Sequence, residues 1–309
     1  MRTRSRWLLD ITLLALIGLL AAIAYFQPGI EKPKPVPALT TLQPDEVRRM
    51  ELVYPDERRV VLVREGDQWW LSQPVRMPAD RFRAETLVNL VQATSLAQYP
   101  VARVDLAKFK LDKPLLEVRF NDLEVAFGDT EPLQSRRYVR VGDAVHLITD
   151  QLYSFLNAKP TDLVSHALLP EGVRPVRITL PLLQEQEGAE QPFAGEVTLR
   201  FEDSRWVVEP PREGVSQDAV NALVDGWRFA HALEVQPLSE PAKPLGTVTL
   251  QLEGDEHPLV FDILEVKPDL VLARRDVGLR YQLAEPLKKR LLQLKAAPSS
   301  DTDAGAAGG

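Results

Sequence analysis

Histidine is the side chain best suited to hold a metal or move a proton near neutral pH. The chain has four: His146, His166, His231 and His257. None has another histidine three or four residues away, and no H-E-x-x-H occurs, so metal binding would depend on tertiary clustering alone. Paired carboxylates could serve acid–base chemistry. Glu202-Asp203 and Asp255-Glu256, however, fall where hairpin turns are expected and read as solvated turns. There is no Gly-x-Ser-x-Gly, Ser-x-x-Lys or phosphate-cradling glycine loop. With no cysteine, disulfides, thiolate metal sites and a cysteine nucleophile are excluded. No catalytic residue, metal site or cofactor is therefore expected.

Recognition chemistry remains. Trp69 stands beside Trp70 on a strand-like segment, so the two side chains point to opposite faces. Trp70 recurs at Trp206, as Pro74 does at Pro210, which assigns Trp70 and Trp206 to the core. Trp69 then faces outward, either covered by another layer or free to anchor a partner or a sugar ring. Arg136-Arg137 and Arg274-Arg275 flank comparable strands. They read either as an anion or partner contact or as charged edges that discourage sheet aggregation.

The elements that must position these residues begin with a membrane segment. Residues 7–26, WLLDITLLALIGLLAAIAYF, contain one charge, Asp10. As a helix the run spans roughly 30 Å, the thickness of a bilayer's hydrocarbon. Asp10 lies near the helix start, where it sits at the interface or pairs with a partner helix. Trp7, Tyr25 and Phe26 match interfacial anchors. Ala22-Ile23-Ala24 also fits a cleavage site after Ala24, but the apolar run is longer than a signal peptide needs. Arg2, Arg4 and Arg6 precede the run, which puts residues 1–6 in the cytoplasm and the body outside it. That body is acidic within an overall charge of −7, which disfavours nucleic acid as a partner. Residues 27–40 carry Pro28, Pro33, Pro35 and Pro37 and read as an extended stalk.

Beyond the stalk the pattern repeats. VRRMELVYP from Val47 resembles VRPVRITLP from Val173. Each leads to a second strand and a tryptophan: VVLVREGDQWWLSQP in the first copy, EVTLRFEDSRWVVEP in the second. A helix follows in both, with Asp80 and Ser216 as equivalent N-caps. Val220, Leu223, Val224 and Trp227 form one apolar stripe on the second. Each copy closes with a strand meander and a short helix, near residues 151–157 and 285–294. Short turns between successive strands predict a mainly antiparallel α+β fold, with repeats over 41–170 and 171–295. Residues 296–309 lack apolar periodicity and read as a disordered tail.

The anchor, Trp70 to Pro74, Ala79-Asp80, Leu87 to Leu90, Phe127-Gly128 and Tyr138-Val139 together resemble the bacterial DUF4340 family. The resemblance covers most of residues 41–295, and the Phe-Gly element lacks a good counterpart in the second copy. It implies a membrane-anchored exported protein, in some members associated with transporter auxiliary components, and implies no catalytic residue. The expectation is a periplasmic binding or scaffold protein of the bacterial inner membrane. Its partners would be the bilayer and an envelope complex, its oligomeric state open. The alternatives are a cell-envelope hydrolase and a peptidoglycan or carbohydrate binder.

Overall fold

The computed structural model describes residues 15–18, 37–132, 135–157, 159–184, 192–239 and 243–294. Residues 15–18 are helical; the rest of the expected membrane segment, residues 1–6, most of the stalk and the tail lie outside the described residues. Among the described residues no helix is long and apolar enough to cross a membrane. The last stalk residues behave differently from a spacer. Leu39 is buried in the core, its N–H donates to Ala93 O at 2.7 Å, and Ser95 N–H donates to Pro37 O at 2.9 Å. The folded body therefore begins by residue 37, because an apolar residue after the last proline is captured by the first unit.

The body is sheet-rich α+β, as the meander pattern predicts. The first sheet has nine strands: β1 (Arg49–Val53), β2 (Arg59–Glu65), β3 (Gln68–Gln73), β4 (Met77–Pro78), β5 (Ala97–Pro100), β6 (Leu116–Phe120), β7 (Leu123–Glu131), β8 (Arg136–Val141) and β9 (Ala144–Thr149). The second has eight: β10 (Pro175–Leu183), β11 (Phe193–Glu202), β12 (Arg205–Glu209), β13 (Glu234–Pro237), β14 (Gly246–Leu252), β15 (Leu259–Glu265), β16 (Leu270–Arg274) and β17 (Leu279–Leu283). The strand orders are β4-β3-β2-β1-β6-β7-β8-β9-β5 and β12-β11-β10-β14-β15-β16-β17-β13. Apart from β4, the two orders are the same.

Four helices accompany the sheets: α1 (Arg81–Val88), α2 (Tyr153–Leu156), α3 (Gln217–Arg228) and α4 (Glu285–Leu292). Asp80 and Ser216 cap α1 and α3 as expected, accepting from Arg83 N at 2.8 Å and Ala219 N at 3.1 Å. Each satisfies a donor that the first helical turn leaves free. The segments that follow are not helix throughout. After α1 and a 3-10 turn at Asn89–Gln92 the chain becomes β5, and after α3 it becomes β13. Both strands pair at the far end of their sheet, with β9 and β17. The helix thus carries the chain across the sheet from one end to the other.

Pairing corrects the repeat alignment. Met50 pairs with Leu62 and Phe120, and Ile178 with Leu199 and Leu250, so Met50 corresponds to Ile178. The sequence match from Val47 and Val173 is slipped by an even step. Strand side chains alternate with period two, so such a slip leaves the apolar pattern intact.

The two sheets are joined by a connector that pairs with both. Ser165 N–H donates to Pro78 O at 2.8 Å, and Asp80 N–H to Leu163 O at 2.8 Å. On the other side Leu168 N–H donates to Ala230 O at 3.0 Å, and Ala232 N–H to His166 O at 2.8 Å. Leu163, Val164, Leu168 and Leu169 are buried, so the connector adds to the core as well as to the ladder.

Candidate functional site

The second unit holds an open cleft of about 390 Å³ where the apolar face of the sheet emerges from under α3. Its floor comes from strands. Phe201 and Trp206 face each other across β11 and β12, with ring centroids 5.4 Å apart, and Val176 lies beside them. Gln217 fixes Trp206 through the backbone, its side-chain amide donating to Trp206 O at 2.7 Å and accepting from Trp206 N at 3.2 Å. The helix wall is Asn221, Val224, Asp225 and Arg228, with Arg228 Nη1 3.0 Å from Asp225 Oδ1. Arg174 and Glu253 stand on the remaining rim. They are backbone neighbours, since Glu253 N–H donates to Arg174 O at 2.8 Å.

The first unit has a cavity of about 450 Å³ at the corresponding strand ends, lined by Asp45, Arg48, Arg64, Gly66 and Asp67. Arg64 opposes Trp69 in the β2–β3 pair as Phe201 opposes Trp206 in the β11–β12 pair. One location is therefore basic in one unit and aromatic in the other. Among the described residues Arg64 Nε is buried without a hydrogen-bond partner, which marks the first cavity as polar. A third cavity, about 620 Å³, lies between residues 37–43 and β9. His146 lines it, buried, with Nδ1 2.9 Å from Ser95 Oγ. Burial holds its pKa below the ordinary histidine value, so the ring is neutral near pH 7.

The residues singled out from sequence have different fates. Trp69 is buried at 4% exposure, whereas Trp70 is partly exposed, with the Arg76 guanidinium 4.9 Å above its ring. This reverses the expectation, and the cause is a β-bulge. Val61 pairs with Gln73 and Leu62 with Leu71, which leaves Ser72 as an extra residue in β3. Counting back from Pro74 matches Trp70 to Trp206, but across the bulge the true counterpart of Trp206 is Trp69. Buried Trp69 cannot stack on a sugar ring.

Arg137 is buried as well. Its Nε donates to Asp150 Oδ1 at 2.5 Å, its Nη1 to Gly128 O at 2.5 Å, and its guanidinium lies 3.5 Å from the Tyr153 ring centroid. It fastens the end of the meander to α2 and offers no free charge to a ligand. Arg136 is partly exposed. Arg274-Arg275 close β16, whereas Arg136-Arg137 open β8, so the two pairs sit at opposite ends of comparable strands. Both residues of the second pair are also engaged, Arg274 with Asp276 and Arg275 with Asp262. Among the described residues no histidine and carboxylate cluster could hold a metal ion. The signal for the second-unit cleft was Phe201, an apolar residue beside Glu202 at a hairpin end, where strands usually turn polar.

A family model described as "Domain of unknown function (DUF4340)" matches residues 69–246, more than half of the chain. The chain belongs to the DUF4340 family. No curated protein and no solved structure matches it. The matched region runs from the start of β3 to the start of β14, so it includes parts of both sheets. The positions that carried the DUF4340 resemblance now have physical reasons. Leu87, Val88 and Leu90 are core, and Val139 is buried in β8. Tyr138 packs on Phe109 with centroids 4.0 Å apart. At Gly128 a Cβ atom would fall 2.2 Å from Phe109 O, so only glycine lets the chain that returns from β5 cross β7. Leu264 occupies the corresponding place in the second unit, where the chain from β13 to β14 is much shorter than that from β5 to β6. That explains the missing second Phe-Gly element.

Proposed function

We propose that this DUF4340 chain is a membrane-tethered periplasmic binding or scaffold protein, an auxiliary component of an envelope or ABC-transporter complex. The tether is the apolar run at residues 7–26, with its basic N-terminal flank setting the orientation. The observation that carries the reading is a set of exposed apolar side chains on segments that the connector pairs with. Phe82, Phe229 and Leu233 are 69%, 61% and 62% exposed. Each lies within two residues of a backbone group bonded to the connector, so each is displayed on a rigid support. Large apolar side chains held outward on a fixed frame suit a protein partner, because little ordering entropy is lost on docking. The partner is an envelope membrane protein that the tether keeps within reach.

Crosslinking in intact membranes, followed by detergent extraction and pull-down, tests this. The expected result is a discrete envelope membrane protein with the native chain and its loss with Phe82→Ser, Phe229→Ser, Leu233→Ser together. Recovery of the monomer alone from native membranes overturns the reading.

A further inference from the structure

The cleft of the second unit carries features that neither packing nor the scaffold role requires. Phe201 is 48% exposed, yet it lies on the core-facing side of β11 with Val197 and Leu199. The fold does not demand an aromatic there, because Arg64 fills the same place in the first unit. Arg174 and Glu253 are oppositely charged, exposed and linked through the backbone. Among the described residues no ion pair joins them, and both residues line the cleft. The other two charges, Asp225 and Arg228, pair with each other on the helix wall. The lining is thus balanced in charge, with Arg174 and Glu253 unpaired among the described residues beside an aromatic floor.

We propose that this cleft binds a small zwitterion, an α-amino acid or short peptide with one bulky apolar side chain. The side chain packs on Phe201 and Val224. Arg174 takes the carboxylate and Glu253 the ammonium group, a pairing that a dianion or a neutral sugar does not match. Asn221 offers a further donor and acceptor. A volume of about 390 Å³ is at the small end of ligand sites and suits one or two residues. The first unit, with Arg64 for Phe201, does not bind it. This site is independent of the partner surface, so a failed pull-down leaves it standing.

The test is titration calorimetry on the full-length chain in detergent micelles. The probes are L-phenylalanine, L-leucyl-L-phenylalanine and the same dipeptide with acetyl and amide blocks at its ends. The expected result is binding of the free amino acid or the free dipeptide, with the blocked form at least about tenfold weaker. Whichever free probe binds identifies the ligand as amino acid or peptide. Phe201→Arg, which installs the residue the first unit tolerates, should abolish binding without lowering the melting temperature. Arg174→Ala should remove most of the preference for a free carboxylate. No binding of any probe up to about 10 mM, well above the weakest useful affinities, overturns the proposal. So does blocked dipeptide binding as tightly as free, or affinity unchanged in both variants.

Discussion

Two adjacent tryptophans differ in what they do. Trp69 is buried against the core while Trp70 keeps part of its ring in water under Arg76. Trp69→Ala should therefore cost about 3–5 kcal/mol, the range for truncating a buried large aromatic. Trp70→Ala should cost only about 1 kcal/mol, chiefly its contact with Arg76. Urea denaturation of both variants checks this, and equal losses would contradict the burial described above.

His146 makes the fold pH-dependent. Its folded pKa is depressed by burial, so the unfolded chain takes up its proton first as the pH falls. The stability it contributes is complete above the unfolded value of about 6.5 and is lost as the pH drops below it, by at most about 1.4 kcal/mol per unit. His146→Gln should flatten that loss between pH 7.5 and 5.5 in urea midpoints. Parallel curves for both proteins would assign the acid sensitivity elsewhere.

Among the elements, the return crossing from β5 to β6 sets the strictest condition. Phe109 O approaches Gly128, Asp129 N–H donates to Phe109 O at 2.8 Å, and Gly128 O accepts from Arg137. An added methyl would meet backbone and the Leu111 side chain, neither of which can yield freely. Gly128→Ala should cost about 2–3 kcal/mol, at the upper end of overpacking, read from the shift in thermal midpoint. Gly226 tests the same logic more gently, since α4 approaches it at 3.1 Å through both the side chain and the backbone oxygen of Arg290, tighter than ordinary contact but well short of the overlap at Gly128. On the same helix Trp227 Nε1 donates to Leu291 O at 3.0 Å, which holds α3 to α4.

Much of this level was legible in the sequence. All eight meander strands, both N-caps and both closing helices fall where alternation, cap chemistry and apolar spacing put them. The strands β5 and β13 were not legible. Ala97–Pro100 and Glu234–Pro237 are short, and their partners lie far along the chain. No local pattern encodes a distant edge.

At the scale of the whole molecule the connector decides cooperativity. It bonds to both units through four backbone hydrogen bonds and buries four apolar side chains. The native chain should therefore melt in one calorimetric transition. Replacing residues 164–168 with glycine and serine at equal length should split it in two, because the shared ladder is lost together with Val164 and Leu168, which belong to the one hydrophobic cluster that includes both sheets. A single unchanged transition would show that the sheets are coupled elsewhere. The partner surface beside the connector should fail in the same variant, since its support would no longer be rigid.

The amino-acid sequence by itself determined what depends on near neighbours. It marked an apolar run long enough for a bilayer, a repeated unit, strand alternation, helix caps and a sheet-rich α+β class. The family match covers residues 69–246. Tertiary structure alone decided which tryptophan turns inward, because one bulged residue at Ser72 inverts the faces. It also decided that Arg137 is buried, that the cleft in the second unit opens, and that one connector binds two sheets. Each of those depends on groups brought together from distant parts of the chain, where spacing along the sequence carries no information about contact.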